Sequence, residues 1–121
     1  MNKKSDRYKS IKTRCNSFQR PRKKEYYIKS FSYKDVLEKF GIECRCYLTG
    51  KQINLLDSQD YHLDHIVPLS KGGSCGLDNL AVACKEANQA KHNLTLNEFV
   101  FLCKNVLEYH GYHVSKKRNS K

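Results

Sequence analysis

The sequence predicts a small α+β fold built around a strand, a loop, a second strand and a helix, with further helices on either side. A short strand over residues 61–65 is followed by the glycine pair at 72–73, which breaks regular structure. The apolar run at 80–83 is typical of a return strand. Residues 85–92 then contain alanines and lysines that favour a helix, which completes a compact ββα unit.

The flanking elements are predicted from their caps and their apolar faces. Residues 32–41 begin with a serine N-cap, place apolar side chains on one helix face and end with a glycine. Residues 46–53 are typical of a turn between two short strands. A capping box at 95–98 begins the last helix, which runs to Gly111, and we expect this helix to pack against the core.

The net charge of +11 is distributed unevenly along the 121 residues. Residues 1–24 carry +9 and residues 116–121 carry +4, whereas residues 25–115 carry −2. The first segment has few apolar residues with which to bury a core, so we expect a flexible basic arm over 1–24. The predicted organisation is this arm, a folded domain over 25–110 and a basic tail over 111–121.

Cationic ends of this kind indicate a polyanionic partner, most simply nucleic acid. A solubilising or targeting arm is the alternative interpretation of the same charge pattern. The candidate DNA-contacting side chains are the basic residues that flank the folded domain: Arg20, Arg22, Lys23, Lys24, Lys116, Lys117 and Arg118.

No apolar run is long enough for a membrane span, and the charged N-terminus is not followed by the apolar stretch of an export signal. We therefore expect no membrane partner and a cytoplasmic location. The six cysteines should then remain thiols. No Cys-x-x-Cys pair is present, and the spacing of Cys44 and Cys46 is too tight for the usual zinc knuckle.

Five polar residues at fixed separations carry the candidate chemistry. Asp64 and Asn88 offer hard oxygen donors that suit one Mg²⁺ or Mn²⁺ ion, because such ions take few protein ligands and keep several waters. His65 follows Asp64 directly, and a neutral imidazole is well matched to deprotonating a water near neutral pH. Neighbouring side chains on a strand point to opposite faces, so this pair can flank a scissile phosphate.

The other two residues are predicted to support the site. Lys91 comes three residues after Asn88 on the same helix face, where its ammonium would bind a phosphate oxygen or steady the site. Asn79 lies where the chain folds back between the two strands. Its amide can bond backbone groups on both sides and hold the loop after His65, with metal ligation as the less favoured alternative. Together these groups indicate hydrolysis of a phosphodiester.

This set of residues resembles the motif of the HNH endonucleases. The resemblance extends over residues 46–99 and rests on Asp64-His65-Ile66-x-Pro68, Gly72-Gly73, Asn79-Leu80, Asn88, Lys91 and the entry segment Cys46-Tyr47-Leu48-Thr49-Gly50-Lys51. It implies a ββα-metal (His-Me finger) fold that cuts nucleic acid with a single divalent metal. It also implies that Asp64 and Asn88 are metal ligands, that His65 is the general base, and that Asn79 holds the active-site loop.

Two departures from the family pattern bear on the metal. Many relatives hold a structural zinc with two Cys-x-x-Cys pairs, whereas here Cys46 and Cys84 are followed by Thr49 and Ala87 at the second positions. We therefore do not expect a structural zinc, and replacement by one of the other cysteines is the less favoured alternative. Many relatives also have a histidine where Asn88 stands, and an amide oxygen favours Mg²⁺ or Mn²⁺ over Zn²⁺.

The sequence therefore predicts a metal-dependent DNA endonuclease or nickase that uses one divalent metal and a histidine base. Two alternatives stay open: a basic DNA-binding module without catalysis, and a structural domain in which Cys44, Cys46 and Cys84 hold zinc. Small HNH proteins are often phage-borne, which implies a bacterial or phage-infected host cell. The candidate protein partners are then packaging proteins or a second copy of the chain.

Overall fold

The computed structural model describes residues 6–20 and 29–118. Its helices and strands are, in chain order, α1 (Lys9–Gln19), α2 (Tyr33–Phe40), β1 (Glu43–Arg45), β2 (Gln52–Asn54), β3 (Tyr61–His65), β4 (Leu80–Cys84), α3 (Lys85–Lys91) and α4 (Leu96–Tyr109). The strands form two small antiparallel sheets, β1 with β2 and β3 with β4. This mixture of helices and antiparallel pairs confirms the predicted α+β class.

The pair β3–β4 and the helix after it form the centre of the fold. Tyr61 lies opposite Cys84 and His65 opposite Leu80 in this pair. All five residues of β4 are buried, as expected of a continuous apolar run bounded by turns. Because α3 follows β4 without a loop and packs against both strands, the predicted order of strand, strand and helix is confirmed.

The side chains of β3 alternate between two helices. Tyr61 and His65 face α1, and the ring of His65 stacks on Phe18 of that helix. His62 and Asp64 face α3, where they contact its polar side chains. This is the period of two that a strand imposes. The neighbours Asp64 and His65 therefore leave β3 on opposite faces.

The ribbon β1–β2 is attached to β4 by its turn. Gly50 donates its backbone N–H to the carbonyl of Cys46, at 2.9 Å, and closes the turn over residues 46–50. The backbone N–H of Tyr47 donates to the carbonyl of Val82, at 2.8 Å. This bond places the phenol of Tyr47 beside the strand pair.

Helix α1 corrects the prediction of a flexible arm over residues 1–24. Ile11, Cys15 and Phe18 lie on one face of this helix and are buried in the core. The basic composition of the segment concealed their helical spacing, and three apolar side chains are enough when the rest of the chain supplies the other side of the core. Residues 1–5 and 21–24 of the predicted arm lie outside the described residues.

Helix α2 has the predicted N-cap and core face. Ser32 and Asp35 form a capping box, and Val36 is fully buried. Gly41 ends the helix with a φ of 81°, which residues with a side chain rarely adopt.

Helix α4 begins at the predicted capping box, in which the side chains of Thr95 and Glu98 accept from each other's backbone N–H groups. The prediction that this helix packs against the core is wrong. None of its residues is buried, and Val100, Phe101 and Val106 are each more than half exposed. An amphipathic pattern shows which face is apolar but not whether anything covers it. Here the core is completed by α1 instead.

The candidate DNA-contacting residues that the structure describes are exposed. They are Arg20, directly after α1, and Lys116, Lys117 and Arg118, in an irregular segment after α4. The remaining three, Arg22, Lys23 and Lys24, lie outside the described residues. Within 6–20 and 29–118, no helix has the length and apolar character needed to cross a bilayer.

Candidate active site

The carboxylate of Asp64 lies between β3, the turn of the β1–β2 ribbon and α3. Its Oδ2 accepts a hydrogen bond from the Tyr47 hydroxyl and lies 3.2 Å from Lys91 Nζ. The side chain is 12% exposed, so the carboxylate is still reached from one side. Burial, and then the hydrogen bond to Asp64, raise the pKa of Tyr47, so its hydroxyl stays protonated and acts as a donor.

The ammonium of Lys91 points into the protein. Its side chain has 0% exposure, and within the described part of the chain Nζ makes no hydrogen bond of suitable geometry, although it is within ion-pair distance of Asp64. A desolvated ammonium needs a carboxylate nearby, because an unpaired buried charge is strongly destabilising. This placement favours the prediction that Lys91 steadies the site, since the buried ammonium does not reach a phosphate at the surface.

The imidazole of His65 lies on the other face of β3, against α1. Its ring stacks on that of Phe18, with centroids 3.9 Å apart and planes 11° from parallel, and its Nε2 lies 3.1 Å from the Phe18 carbonyl oxygen. Burial lowers the pKa of His65 below its ordinary value, although the Phe18 carbonyl and Asp64 act in the opposite direction. The lowered pKa favours the neutral ring, which is the form that a general base needs.

Asp64 and His65 line one cleft. Its other walls are residues 68–70, in the loop after β3, and the pair His92 and Asn93 beyond α3. His92 has a φ of 50°, a value that residues with a side chain seldom adopt. Nothing in the sequence spacing pointed to His92 as part of the site, because its place in the cleft depends on how the chain turns at the end of α3.

Asn88 faces β3 from α3 and is paired with His62. Its Nδ2 lies 3.0 Å from His62 Nδ1, so the amide nitrogen donates to the ring and the amide oxygen is not used in this bond. Burial, and then the nearby charges of Lys85 and Arg14, lower the pKa of His62 and favour this neutral acceptor ring. The position of His62, two residues before Asp64 on the same strand face, allowed either a supporting role in the site or a plain surface histidine.

Asn79 joins the two ends of the loop after β3. Its Oδ1 accepts from the backbone N–H of Val67, at 2.9 Å, and its Nδ2 donates to the carbonyls of Val67 and Ser74, at 3.0 and 2.8 Å. Its own carbonyl accepts from the N–H of Ile66, at 2.9 Å. Asn79 therefore bonds to backbone groups at both ends of the loop, as required if its role is to hold the loop.

The glycine pair allows the loop to close on Asn79. A β-carbon at Gly73 would overlap the carbonyl group of Val67 and lie 2.9 Å from Asn79 Nδ2. At Gly72 the constraint is conformational, because its φ of 90° and ψ of 9° are left-handed. The loop therefore needs glycine at 73 for space and favours it at 72 for backbone geometry.

Cys46 and Cys84 are buried thiols on either side of Thr49. Cys84 Sγ lies 3.8 Å from Thr49 Oγ1, and Cys46 Sγ accepts from the backbone N–H groups of Leu48 and Thr49, at 3.4 Å each. Burial alone would raise the pKa of Cys46, but hydrogen bonds from the Thr49 side chain and from the backbone of Cys84, Leu48 and Thr49 outweigh it and lower the pKa. In the described part of the chain no three His, Cys, Asp or Glu residues form a ligand group, so Cys44 does not complete a zinc site with this pair.

The segment from residue 45 to residue 94 matches the family model for HNH endonuclease. This segment is similar to the HNH endonucleases. No curated protein and no solved structure matches the chain. An HNH domain indicates nuclease activity, and HNH nucleases act on DNA and generally use a divalent metal. Helices α1, α2 and α4 lie outside the HNH segment.

The donors in the HNH segment fit a hard divalent cation that takes few protein ligands. Tyr47 and Lys91 both contact Oδ2 of Asp64, and the amide oxygen of Asn88 is not used in its bond to His62. Asp64 lines the cleft with His65, whereas Asn88 lines a neighbouring pocket with His62 and Phe18. One carboxylate and one amide suit Mg²⁺ or Mn²⁺, which complete their coordination with water and substrate phosphate. Because the Lys91 ammonium already opposes the charge of Asp64, we expect weak cation binding without DNA.

Proposed function

We propose that this protein is a metal-dependent DNA endonuclease or nickase in which His65 is the general base and Asp64 and Asn88 hold one divalent cation. The observation that carries the proposal is the cleft that Asp64 and His65 share within the HNH segment. A carboxylate and a neutral imidazole on opposite faces of one strand, open to the same cleft, can act on one phosphate from two sides.

Asp64 and Asn88 are the proposed ligands of Mg²⁺ or Mn²⁺. When bound, this cation would neutralise charge on the phosphate and on the leaving oxygen. Tyr47 and Lys91 both contact Oδ2 of Asp64, so they restrict the orientation of the carboxylate, and Oδ1 is the proposed ligand atom. The pairing with His62 likewise restricts the amide of Asn88.

His65 is proposed to take one proton from a water molecule while the water oxygen forms a bond to phosphorus. The bond between phosphorus and the leaving ester oxygen breaks in the same displacement, and the leaving oxygen takes up a proton from solvent. Burial lowers the pKa of His65 and so favours the neutral imidazole, the form that can accept a proton. Asn79 supports this step by holding the loop that begins directly after His65.

Affinity for DNA is proposed to come from basic residues outside the HNH segment. Arg20 and the run at 116–118 are exposed and carry no acidic neighbour in sequence. Lysine and arginine side chains on an irregular segment contact phosphates without reading bases. Binding should therefore depend little on sequence and weaken steeply with salt.

Nicking of a supercoiled plasmid tests the proposal. Wild-type protein with Mg²⁺ or Mn²⁺ should produce open-circular or linear DNA, and a chelator should abolish the reaction. His65→Ala should retard the same DNA in a gel but cut it about 10²- to 10⁴-fold more slowly, which is the usual contribution of a general base. His110→Ala, which removes an exposed imidazole, is the control and should cut like the wild type. Equal cutting by His65→Ala and the wild type would refute the assignment.

A basic DNA-binding module without catalysis is the second candidate function. The observation that favours it is the ion pair of Lys91 with Asp64, because an internal cation already neutralises the carboxylate. Retardation of DNA without cleavage across a panel of divalent metals would select this function. Cleavage that disappears in His65→Ala would exclude it.

A further inference from the structure

We infer that helix α1, which lies outside the HNH segment, completes the nuclease site, and that Phe18 is the positioning residue that fixes the ring of His65 with Nδ1 as its proton acceptor. This inference rests on the proposed function, since it assigns the atom of His65 that takes the proton. Three features of the structure carry it: a hydrogen bond, a ring stack and the attachment of α1 to β3.

The hydrogen bond determines which ring nitrogen carries the proton. His65 Nε2 lies 3.1 Å from the carbonyl oxygen of Phe18. A carbonyl oxygen has no hydrogen to give, so Nε2 must be the donor, and in the neutral ring Nδ1 is then the nitrogen with the free electron pair. The bond holds the imidazole in the tautomer in which Nδ1 accepts a proton.

The position of Phe18 in α1 explains why its carbonyl is free to accept. Helix α1 ends at Gln19, so Phe18 lies in its last turn. The carbonyls of the last turn have no N–H partner within the helix and bond to whatever lies beyond it. Here the donor beyond the helix end is the side chain of His65.

The ring stack restricts the orientation of the imidazole. The rings of Phe18 and His65 are 3.9 Å apart at their centroids and 11° from parallel. Phe18 is 3% exposed and also contacts Phe31, with ring centroids 5.9 Å apart, so the phenyl ring is itself held in the core. A histidine between a fixed ring and a fixed carbonyl keeps one rotamer and one tautomer.

Arg14 attaches α1 to β3 one turn before Phe18. Its Nε donates to the carbonyl of Tyr61 at 2.9 Å, its Nη2 donates to the carbonyl of Gln59 at 3.3 Å, and its guanidinium lies 4.0 Å from the centroid of the Tyr61 ring. Tyr61 begins the strand that ends at His65. The helix that positions the base is therefore bonded to both ends of the strand that carries it.

The tautomer of His65 is the direct test, and it needs neither metal nor DNA. Long-range ¹H–¹⁵N NMR of the full chain distinguishes protonation at Nδ1 from protonation at Nε2, and comparison with His65→Ala identifies the His65 signals. The wild type should show one tautomer, protonated at Nε2. Phe18→Leu keeps the backbone carbonyl but removes the ring that holds the imidazole against it. The imidazole can then turn away from the carbonyl, so this variant should show a mixture of tautomers. Phe31→Leu, which loosens the same part of the core without touching His65, should keep the wild-type tautomer.

Two results would overturn the inference: wild-type His65 protonated at Nδ1, or an unchanged single tautomer in Phe18→Leu. If Phe18→Leu loses its dispersed spectrum, Arg14→Met is the second variant, because it releases α1 and keeps both rings. Arg14→Met should also give a mixture of tautomers, and Lys12→Met, on the exposed side of α1, should not. An unchanged tautomer in Arg14→Met would then count against the inference.

Plasmid nicking gives the second readout. Phe18→Leu should lower kcat by about tenfold or more with KM nearly unchanged, because a misplaced or wrongly protonated imidazole affects the chemical step rather than binding. Phe31→Leu should keep the wild-type kcat. Faster nicking by Phe18→Leu would mean that α1 obstructs the base, and would overturn the inference. If the wild type does not nick at all, the proposed function fails, while the NMR result still decides whether Phe18 positions His65.

Discussion

At the scale of single residues, the buried pair of Asp64 and Lys91 is the feature of the site with the largest energetic consequence. The ammonium lies 3.2 Å from Oδ2, is fully buried and has no hydrogen bond within the described residues. Such a group is tolerated because the carboxylate is close, and removing that carboxylate leaves a charge in a medium that solvates it poorly. The pair therefore links the stability of the protein to a proposed metal ligand.

Asp64→Asn should be strongly destabilising for this reason. We expect a loss of about 3 kcal/mol in the free energy of unfolding, the usual cost of breaking a buried pair from one side. Adding Lys91→Met should restore part of the loss, because methionine fills similar space without a charge. Urea unfolding in the absence of divalent metal measures both variants.

The control for this measurement is an exposed ion pair. Lys104 Nζ and Glu108 Oε1 lie 2.9 Å apart on the surface of α4. Glu108→Gln should lower the free energy of unfolding by less than about 0.5 kcal/mol. An equally small cost for Asp64→Asn would mean that the ammonium of Lys91 does not depend on Asp64.

At the scale of elements, the loop between β3 and β4 connects the strand pair to the cleft. Residues 68–70 line the cleft, and Asn79 holds the loop through Val67 and Ser74. Gly73 lies where a side chain would collide with the backbone at Val67. The position of the cleft wall formed by residues 68–70 therefore depends on glycine at position 73.

Gly73→Ala should displace this loop. We expect a loss of stability of about 1–3 kcal/mol, as for other overpacked sites, and nicking slowed by at least about tenfold as the cleft wall moves. Gly72→Asn is the matched control, because the space there is open and asparagine tolerates a left-handed backbone. Thermal unfolding and plasmid nicking check both variants. The same nicking rate in Gly73→Ala and Gly72→Asn would contradict this account of the loop.

The ββα unit could be predicted because its signals are local. Alternation along residues 61–65, the glycine pair and the capping box each act over a few residues, and the structure has the corresponding elements. Local signals did not predict which part of the chain packs against each element. The apolar residues of α1 were concealed in a basic segment, and the apolar face of α4 has no cover in the described structure.

The same distinction applies to the candidate site. The spacing of Asp64, His65 and Asn88 indicated the chemistry, since these residues lie in one short motif. The contact of His65 with Phe18 joins residues 47 positions apart, and no local pattern encodes it. The sequence also did not predict that the Lys91 side chain points inward, because its direction depends on how α3 packs against β3.

At the scale of the whole molecule, the positive charge is concentrated towards the two ends of the sequence. Residues 25–115 carry a net charge of −2, whereas residues 116–121 carry +4. Under the proposed function, this distribution would separate binding from hydrolysis: the ends would supply affinity for phosphates, and the HNH segment would supply the chemistry.

Replacing Lys116, Lys117 and Arg118 with glutamine should test this division. We expect the slope of log affinity against log salt to fall by about 0.9 for each phosphate that the variant no longer neutralises, with equal weakening for unrelated DNA sequences. Nicking at saturating protein should be unchanged. Filter binding over a range of salt concentrations measures the slope, and Lys34→Gln, on the exposed face of α2, is the control. A reduced nicking rate at saturation would place the tail in the catalytic site instead.

The most direct test of the central claim is rescue of His65→Gly by added imidazole. Single-turnover nicking of a supercoiled plasmid with Mg²⁺ should be slower than wild type by about 10²-fold or more, and free imidazole should restore part of the rate by taking the proton that His65 takes. Imidazole should leave the wild-type rate unchanged. Nicking by His65→Gly at the wild-type rate without imidazole would contradict the assignment of His65 as the base.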